Sequence, residues 1–214
     1  MGKEVDLKKG ELSRHVNKAL KAISDGYIIA IPLEHSYAFA CDAFKHDSVR
    51  AMNVLHGSPL FTSAQVLVGS AKTAQGVVRE ITPEISALMK KFWPGLLSLN
   101  LKPQLGLSWD LGDANQLDRI SIRVPKSKFA KALLAKSGPL AVTSGSRIGM
   151  PAPKELSDIF VLHSDLAFQF NGGKLRQGAS TTVVEADSQG VRVLRVGAIS
   201  LAEIQAIAPS ARLI

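Results

Sequence analysis

The chain has 214 residues, 46% hydrophobic and 21% charged, proportions of an ordinary globular protein able to bury a substantial core. A formal net charge of +8 favours anionic partners such as nucleotides, RNA or phosphorylated small molecules, although a merely solvated basic surface fits the same number. No apolar run reaches the roughly 18 residues of a membrane span, and the start from Met1 to Gly10 lacks the apolar segment of a signal peptide. The lone Cys41 leaves no internal disulfide and no thiolate metal cluster, so the expectation is a cytoplasmic protein with no membrane partner.

Leu12, Val16, Leu20 and Ile23 recur at helical spacing, and Gly26 stands in a C-cap position. Tyr27–Ile31 reads as a short buried strand ended by Pro32. Asp47 is a candidate cap for a helix running through Val49, Met52 and Leu55 to Gly57. Gln65–Val68 reads as a strand. Thr82-Pro83 starts a helix carrying Ile85, Leu88, Met89 and Phe92, which stops at Trp93. Pro94-Gly95 then makes a tight turn into a buried strand, Leu96–Leu101. Ile120–Val124 alternates as a strand and ends at Pro125. Ser127 caps a helix that buries Phe129, Leu133 and Leu134, and Leu140–Thr143 is the strand after it. Leu166–Phe170, Thr181–Glu185 and Val191–Arg195 are later strands, separated by glycine- and Asp-rich turns, and a short helix fits Leu201–Ile207. With no repeat and no linker, this order predicts one α/β domain over residues 1–214 with a mixed sheet.

Several chemistries lack their sequence patterns. His15, His35, His46, His56 and His163 are scattered, with no His-x-x-x-His pair beside a carboxylate. A Gly-x-Ser-x-Gly elbow, a Walker loop and a Gly-x-Gly-x-x-Gly turn are also absent. Polar residues at strand ends remain. Thr143-Ser144-Gly145-Ser146 enters a loop with Gly149, Pro151 and Pro153, whose hydroxyls and free N–H groups suit phosphate or carboxylate oxygens. Arg123 is the one charge in the apolar run Ile-Ser-Ile-Arg-Val-Pro, and Arg195 closes Val-Arg-Val-Leu-Arg. Each guanidinium requires an anionic ligand, an acidic side chain or solvent. Ser180-Thr181-Thr182 presents hydroxyls for a ligand or for turn donors. His35 and Tyr37 stand where they can line a pocket, with packing the alternative for Tyr37. Lys126, Lys128, Lys131 and Lys136 fit the polar face of one helix as readily as an RNA contact. Cys41 reads as a small core residue.

The segments Phe92-Trp93-Pro94-Gly95, Arg123-Val124-Pro125, Thr143-Ser144, Ser180-Thr181 and Leu194-Arg195-x-Gly197 follow one another as they do in the YrdC-like family. Residues 29–43 resemble that family's Pro-Thr-Asp/Glu-Thr-x-Tyr-Gly segment, and Trp109-Asp110-Leu111-Gly112-Asp113 resembles an insert of actinobacterial-type members. The resemblance covers roughly residues 11–205. It implies a single YrdC-like domain, a twisted mixed β-sheet flanked by helices around a basic cavity. It further implies L-threonylcarbamoyladenylate synthase activity, in which ATP, L-threonine and bicarbonate give threonylcarbamoyl-AMP and pyrophosphate for t6A modification of tRNA. On that pattern Arg123, Ser180 and His35 serve threonine, while Ser144, Ser146, Arg195, His56 and Ser58 serve the nucleotide. Mg²⁺ accompanies ATP, no metal is bound by the protein itself, and tRNA or double-stranded RNA is a further partner.

The chain also departs from the pattern. The family's Lys-x-Arg falls at His56-Gly57-Ser58, its Ser-x-Asn reads Ser144-Gly145-Ser146, its first-segment threonines are Leu33 and His35, and its glycine is Ala38. Two readings follow: a working nucleotidyltransferase with an altered phosphate site, or a catalytically impaired paralogue holding a nucleotide, a small anion or RNA in the same cavity.

Overall fold

The computed structural model describes residues 3–114, 116, 118–159 and 165–214; His163 lies outside the described residues. In chain order the elements are β1 (Lys3–Asp6), α1 (Leu12–Ser24), β2 (Ile29–Pro32), β3 (Tyr37–Asp42), α2 (His46–His56), β4 (Gln65–Leu67), α3 (Ala71–Gln75) and α4 (Pro83–Phe92). They continue as β5 (Leu97–Leu101), β6 (Ile120–Arg123), α5 (Lys128–Ser137), β7 (Leu140–Ser144), a 3-10 turn (Leu156–Asp158), β8 (Phe168–Asn171), β9 (Thr182–Asp187), β10 (Gly190–Arg195), α6 (Leu201–Gln205) and β11 (Arg212–Leu213).

The strands form one sheet in the order β1-β8-β2-β3-β7-β4-β6-β5-β9-β10-β11. It is mixed: β2, β3, β7 and β4 run antiparallel in turn, while β4–β6 and β5–β9 are parallel. Successive side chains leave a strand on opposite faces, and here both faces are covered. Ile29, Ile31, Ala40, Leu67, Leu140 and Val142 bury against Val16, Ala19 and Ile23 of α1 and Phe129, Leu133 and Leu134 of α5. Their neighbours Ala30, Phe39, Cys41, Val66 and Ala141 turn the other way, toward Val49 and Met52 of α2 and Ile85, Leu88 and Met89 of α4. Burial pushes the Cys41 thiol up to about 12, so it packs as a neutral group.

The caps at Thr82 and Ser127 form as expected, their hydroxyls accepting from Ile85 N–H at 3.3 Å and Ala130 N–H at 3.4 Å. Other boundaries move. Tyr27 is exposed outside β2, which starts at Ile29 and keeps Pro32 as its last residue. Lys45 rather than Asp47 precedes α2, and Asp47 sits in its first turn, where a carboxylate suits the helix dipole. The strand expected at Leu166–Phe170 lies at Phe168–Asn171.

Candidate active site

Arg123 ends β6 and is almost wholly buried. Its Nη1 donates to Glu34 Oε2 at 3.1 Å and to the Gly95 carbonyl at 3.4 Å. Its Nε is buried and has no partner among the described residues. Glu34 belongs to the loop between β2 and β3, and its other oxygen accepts the Lys126 N–H. Ser127 donates to the Pro32 carbonyl at 2.8 Å and so holds the start of α5 beside the same loop. Glu34, His35, Pro94, Gly95, Leu96, Lys126 and Ser127 line a cleft of about 460 Å³. The expected countercharge for Arg123 is therefore an acidic side chain of this chain, set at the wall of a cleft.

Ser144 and Ser146 form a second group. Their hydroxyls lie 2.9 Å apart, and Ser146 is buried. Gly145 N–H donates to the Tyr37 carbonyl at 3.0 Å, and Tyr37 N–H donates to the Pro153 carbonyl at 2.8 Å. A Cβ on Gly145 would meet the Tyr37 carbonyl oxygen at 3.0 Å, so any other residue would press these two strands of chain apart by a few tenths of an ångström. Ser146, Arg147, Met150, Pro151, Ala152, Pro153, Lys154 and Asp158 line a cavity of about 560 Å³. His56 sits against this loop, with ring Nδ1 2.5 Å from the Ser146 carbonyl. Ser58 lines a different cleft, of about 370 Å³, with Arg50, Asn53 and Asp110.

The two groups share the loop from Leu33 to Tyr37. Glu34 faces the Arg123 cleft, while Tyr37 bonds the Ser144–Ser146 loop, and three residues of chain span at most about 10 Å. A strap over residues 172–180 also touches both. Tyr37 OH donates to the Gly173 carbonyl at 2.7 Å and accepts from Gly172 N–H at 3.0 Å. Leu175 N–H donates to the Lys154 carbonyl at 2.8 Å, beside the cavity. His35 Nδ1 donates to the Arg176 carbonyl at 3.1 Å, and a Cβ on Gly178 would lie 2.3 Å from the His35 ring.

Ser180 is exposed at the end of this strap, and its carbonyl accepts the Ala198 N–H at 2.8 Å. Thr182 N–H donates to the Leu96 carbonyl at 2.9 Å, which carries the Ser180–Thr182 segment to the Arg123 cleft wall. Arg195 is exposed and donates to the Thr181 carbonyl at 3.1 Å and hydroxyl at 3.0 Å, with no acidic partner among the described residues. Of the expected residues, His35 thus lines the cleft, with Arg123 behind Glu34 of its wall and Thr182 bonded to its Leu96. Ser146 lines the cavity, with Ser144 and His56 bonded to it from outside the lining. Arg195 bonds Thr181 next to Ser180, and Ser58 stands apart.

The sequence patterns missed Glu34, Arg147 and Lys154. Glu34 had a local signal, a carboxylate between Pro32 and Tyr37, but Arg123 follows 89 residues later. The Thr182 hydroxyl donates to the Ile199 carbonyl at 2.6 Å and accepts from Gly197 and Ile199 N–H, fixing the turn after Arg195. This is the turn-donor alternative for that hydroxyl row. Among the described residues no three His, Cys, Asp or Glu side chains gather as metal ligands.

Residues 21–197 match the Sua5/YciO/YrdC family, described as "Telomere recombination". Over 193 residues the chain is 33% identical to a Mycobacterium tuberculosis protein provisionally named a threonylcarbamoyl-AMP synthase, covering 90% of this chain and 88% of that one. The Pyrococcus abyssi Sua5 complexed with L-threonine superposes with a TM-score of 0.88 at 24% identity, covering 100% of this chain. The chain spans 62% of that longer protein. Escherichia coli YciO superposes with a TM-score of 0.80 at 20% identity, covering 95% of this chain and 98% of that one. These structural likenesses show a shared fold, and the match over most of the chain shows its kinship: it belongs to the Sua5/YciO/YrdC family.

Proposed function

We propose that this protein is an L-threonylcarbamoyladenylate synthase, joining L-threonine, bicarbonate and ATP into threonylcarbamoyl-AMP with release of pyrophosphate. The observation that carries the reading is a cleft walled by Glu34, the partner of the buried Arg123, and joined by one short loop to the Ser146–Asp158 cavity with its Arg147 and Lys154. Named relatives add weight, one being a Sua5 complexed with L-threonine. In this reading threonine lies in the cleft lined by Glu34, His35 and Ser127, with Arg123 supplying positive charge from behind Glu34 and Ser180 on the segment that Thr182 ties to Leu96. The nucleotide occupies the cavity lined by Ser146, whose hydroxyl bonds Ser144 behind it, with Arg195 beside the Ser180 end.

The threonine nitrogen takes up the carbon of bicarbonate with loss of water. A carbamate oxygen then displaces pyrophosphate from the α-phosphorus of ATP. The protein's task is to hold two anions in line and offset charge as it builds on phosphate oxygens. Without a cluster of acidic ligands among the described residues, Mg²⁺ enters with the phosphates of ATP as part of the substrate. The product serves t6A formation on tRNA in the cytoplasm, and the exposed Lys126, Lys128, Lys131 and Lys136 add long-range attraction for RNA. No described helix is long and apolar enough to cross a membrane.

Pyrophosphate release tests the reading when the purified protein receives ATP, threonine, bicarbonate and Mg²⁺ together and with each omitted in turn. Release should require all three substrates. Release that persists without threonine would make the protein an ATP hydrolase of another kind.

A further inference from the structure

Phosphates need fixed positive charge, and His56 and Ser58 do not line the cavity assigned here to the nucleotide. His56 does something different. A carbonyl oxygen only accepts, so the ring Nδ1 that lies 2.5 Å from the Ser146 carbonyl carries the proton and donates it. On the other side, Ile148 N–H donates to the His56 carbonyl at 2.7 Å. One residue therefore grips positions 146 and 148 and fixes the direction in which the main chain presents Arg147.

Arg147 lines the cavity, and its guanidinium enters no ion pair or hydrogen bond among the described residues. Lys154 lines it too, and among the described residues its ammonium bonds only the neutral amide oxygen of Gln177, at 3.2 Å. The one acid of the lining, Asp158, spends an oxygen on the N–H groups of Lys154 at 2.9 Å and Glu155 at 3.2 Å. Two uncommitted cations and the Ser146 hydroxyl thus share one cavity with the Pro151–Pro153 wall, an apolar surface suited to a base.

We propose that Arg147 and Lys154 hold the phosphate oxygens of the nucleotide in this chain, and that His56 is the positioning residue that aims Arg147. The proposal rests on the nucleotide reading of the cavity given above. A guanidinium offers two parallel donors to a phosphate, and an ammonium offers a mobile point charge. A phosphate arriving at Lys154 would replace a neutral amide contact to the strap with a charged one.

Calorimetric titration of ATP, adenosine and threonine into the native protein and into Arg147→Gln, Lys154→Gln, His56→Ala and His56→Gln tests this. Circular dichroism confirms that each variant is folded. Arg147→Gln and Lys154→Gln should each weaken ATP by about tenfold or more, the usual size of a charged hydrogen bond, and leave adenosine and threonine unchanged. His56→Ala should show the same selective loss, and His56→Gln, which keeps an N–H donor for the Ser146 carbonyl, should recover most of it. If the native protein binds ATP and both glutamine variants at 147 and 154 bind it equally well, the phosphates sit elsewhere and the proposal is overturned while the nucleotide reading stands. An unchanged ATP-to-adenosine ratio in His56→Ala overturns the positioning role. A native protein that binds neither ATP nor adenosine removes the nucleotide reading and this proposal together.

Discussion

Arg123 is 3% exposed at its side chain and Glu34 11%, so neither charge is well hydrated and each depends on the other. Glu34 also holds the Lys126 N–H, and the pair therefore ties the β2–β3 loop to the start of α5. Replacing Arg123 by Met leaves the carboxylate without its partner, and urea unfolding should show a loss of about 3–5 kcal/mol. Adding Glu34→Gln should restore a good part of that loss, because no unpaired charge then remains. A single variant within about 1 kcal/mol of native would mean that solvent already screens the pair. The arginine was legible in the sequence because one charge in an apolar strand must be answered. Its partner was not, since contact across 89 residues depends on how the strands are ordered.

Between elements, β9 and β10 are joined by more than their ladder. Arg192 opposes Glu185 in register and donates to it at 3.0 Å, and reaches Asp187 at 2.8 Å. Arg119, just before β6, donates to Asp187 at 2.7 Å. Burial alone would raise the Asp187 carboxyl, but the bonds from Arg119, Arg192 and the Gln189 N–H outweigh it and hold the group far below the usual carboxylate range. A depressed folded value stabilises above the unfolded value, near 3.9, and that stability drains away as pH falls. Between pH 5 and pH 3 this one group should account for about 1 kcal/mol of lost stability. Urea melts of Asp187→Asn should fall less steeply over that interval than native melts. Equal slopes would place the acid sensitivity elsewhere. Elements with a clear period were readable: α1, α4, α5 and the strands β5, β6, β9 and β10 stand close to where alternation and caps put them. Tyr37–Asp42 was not, because Tyr-Ala-Phe-Ala-Cys-Asp is buried on both faces and shows no polar alternation. β1 and β11 were missed for the opposite reason, being short edge strands with mostly exposed residues.

At the scale of the molecule, one loop and one strap couple two sites that lie at different levels of the sheet. Arg123 is level with Leu67 and Leu140, whereas Ser144 lies at the far end of β7, opposite Ala38. The loop from Leu33 to Tyr37 and the strap over 172–180, bonded to each other and to Lys154, bridge that offset. Such a span suits an amino acid joined to a nucleotide, which is the form of the proposed product. Mass spectrometry of the nucleotide product shows most directly whether threonine, the bicarbonate carbon and AMP are joined. With ATP, L-threonine and carbon-13 bicarbonate, the account predicts an AMP adduct carrying both threonine and one labelled carbon, formed in equal amount to pyrophosphate. Unlabelled AMP or ADP as the sole nucleotide product, with threonine left free, would contradict it.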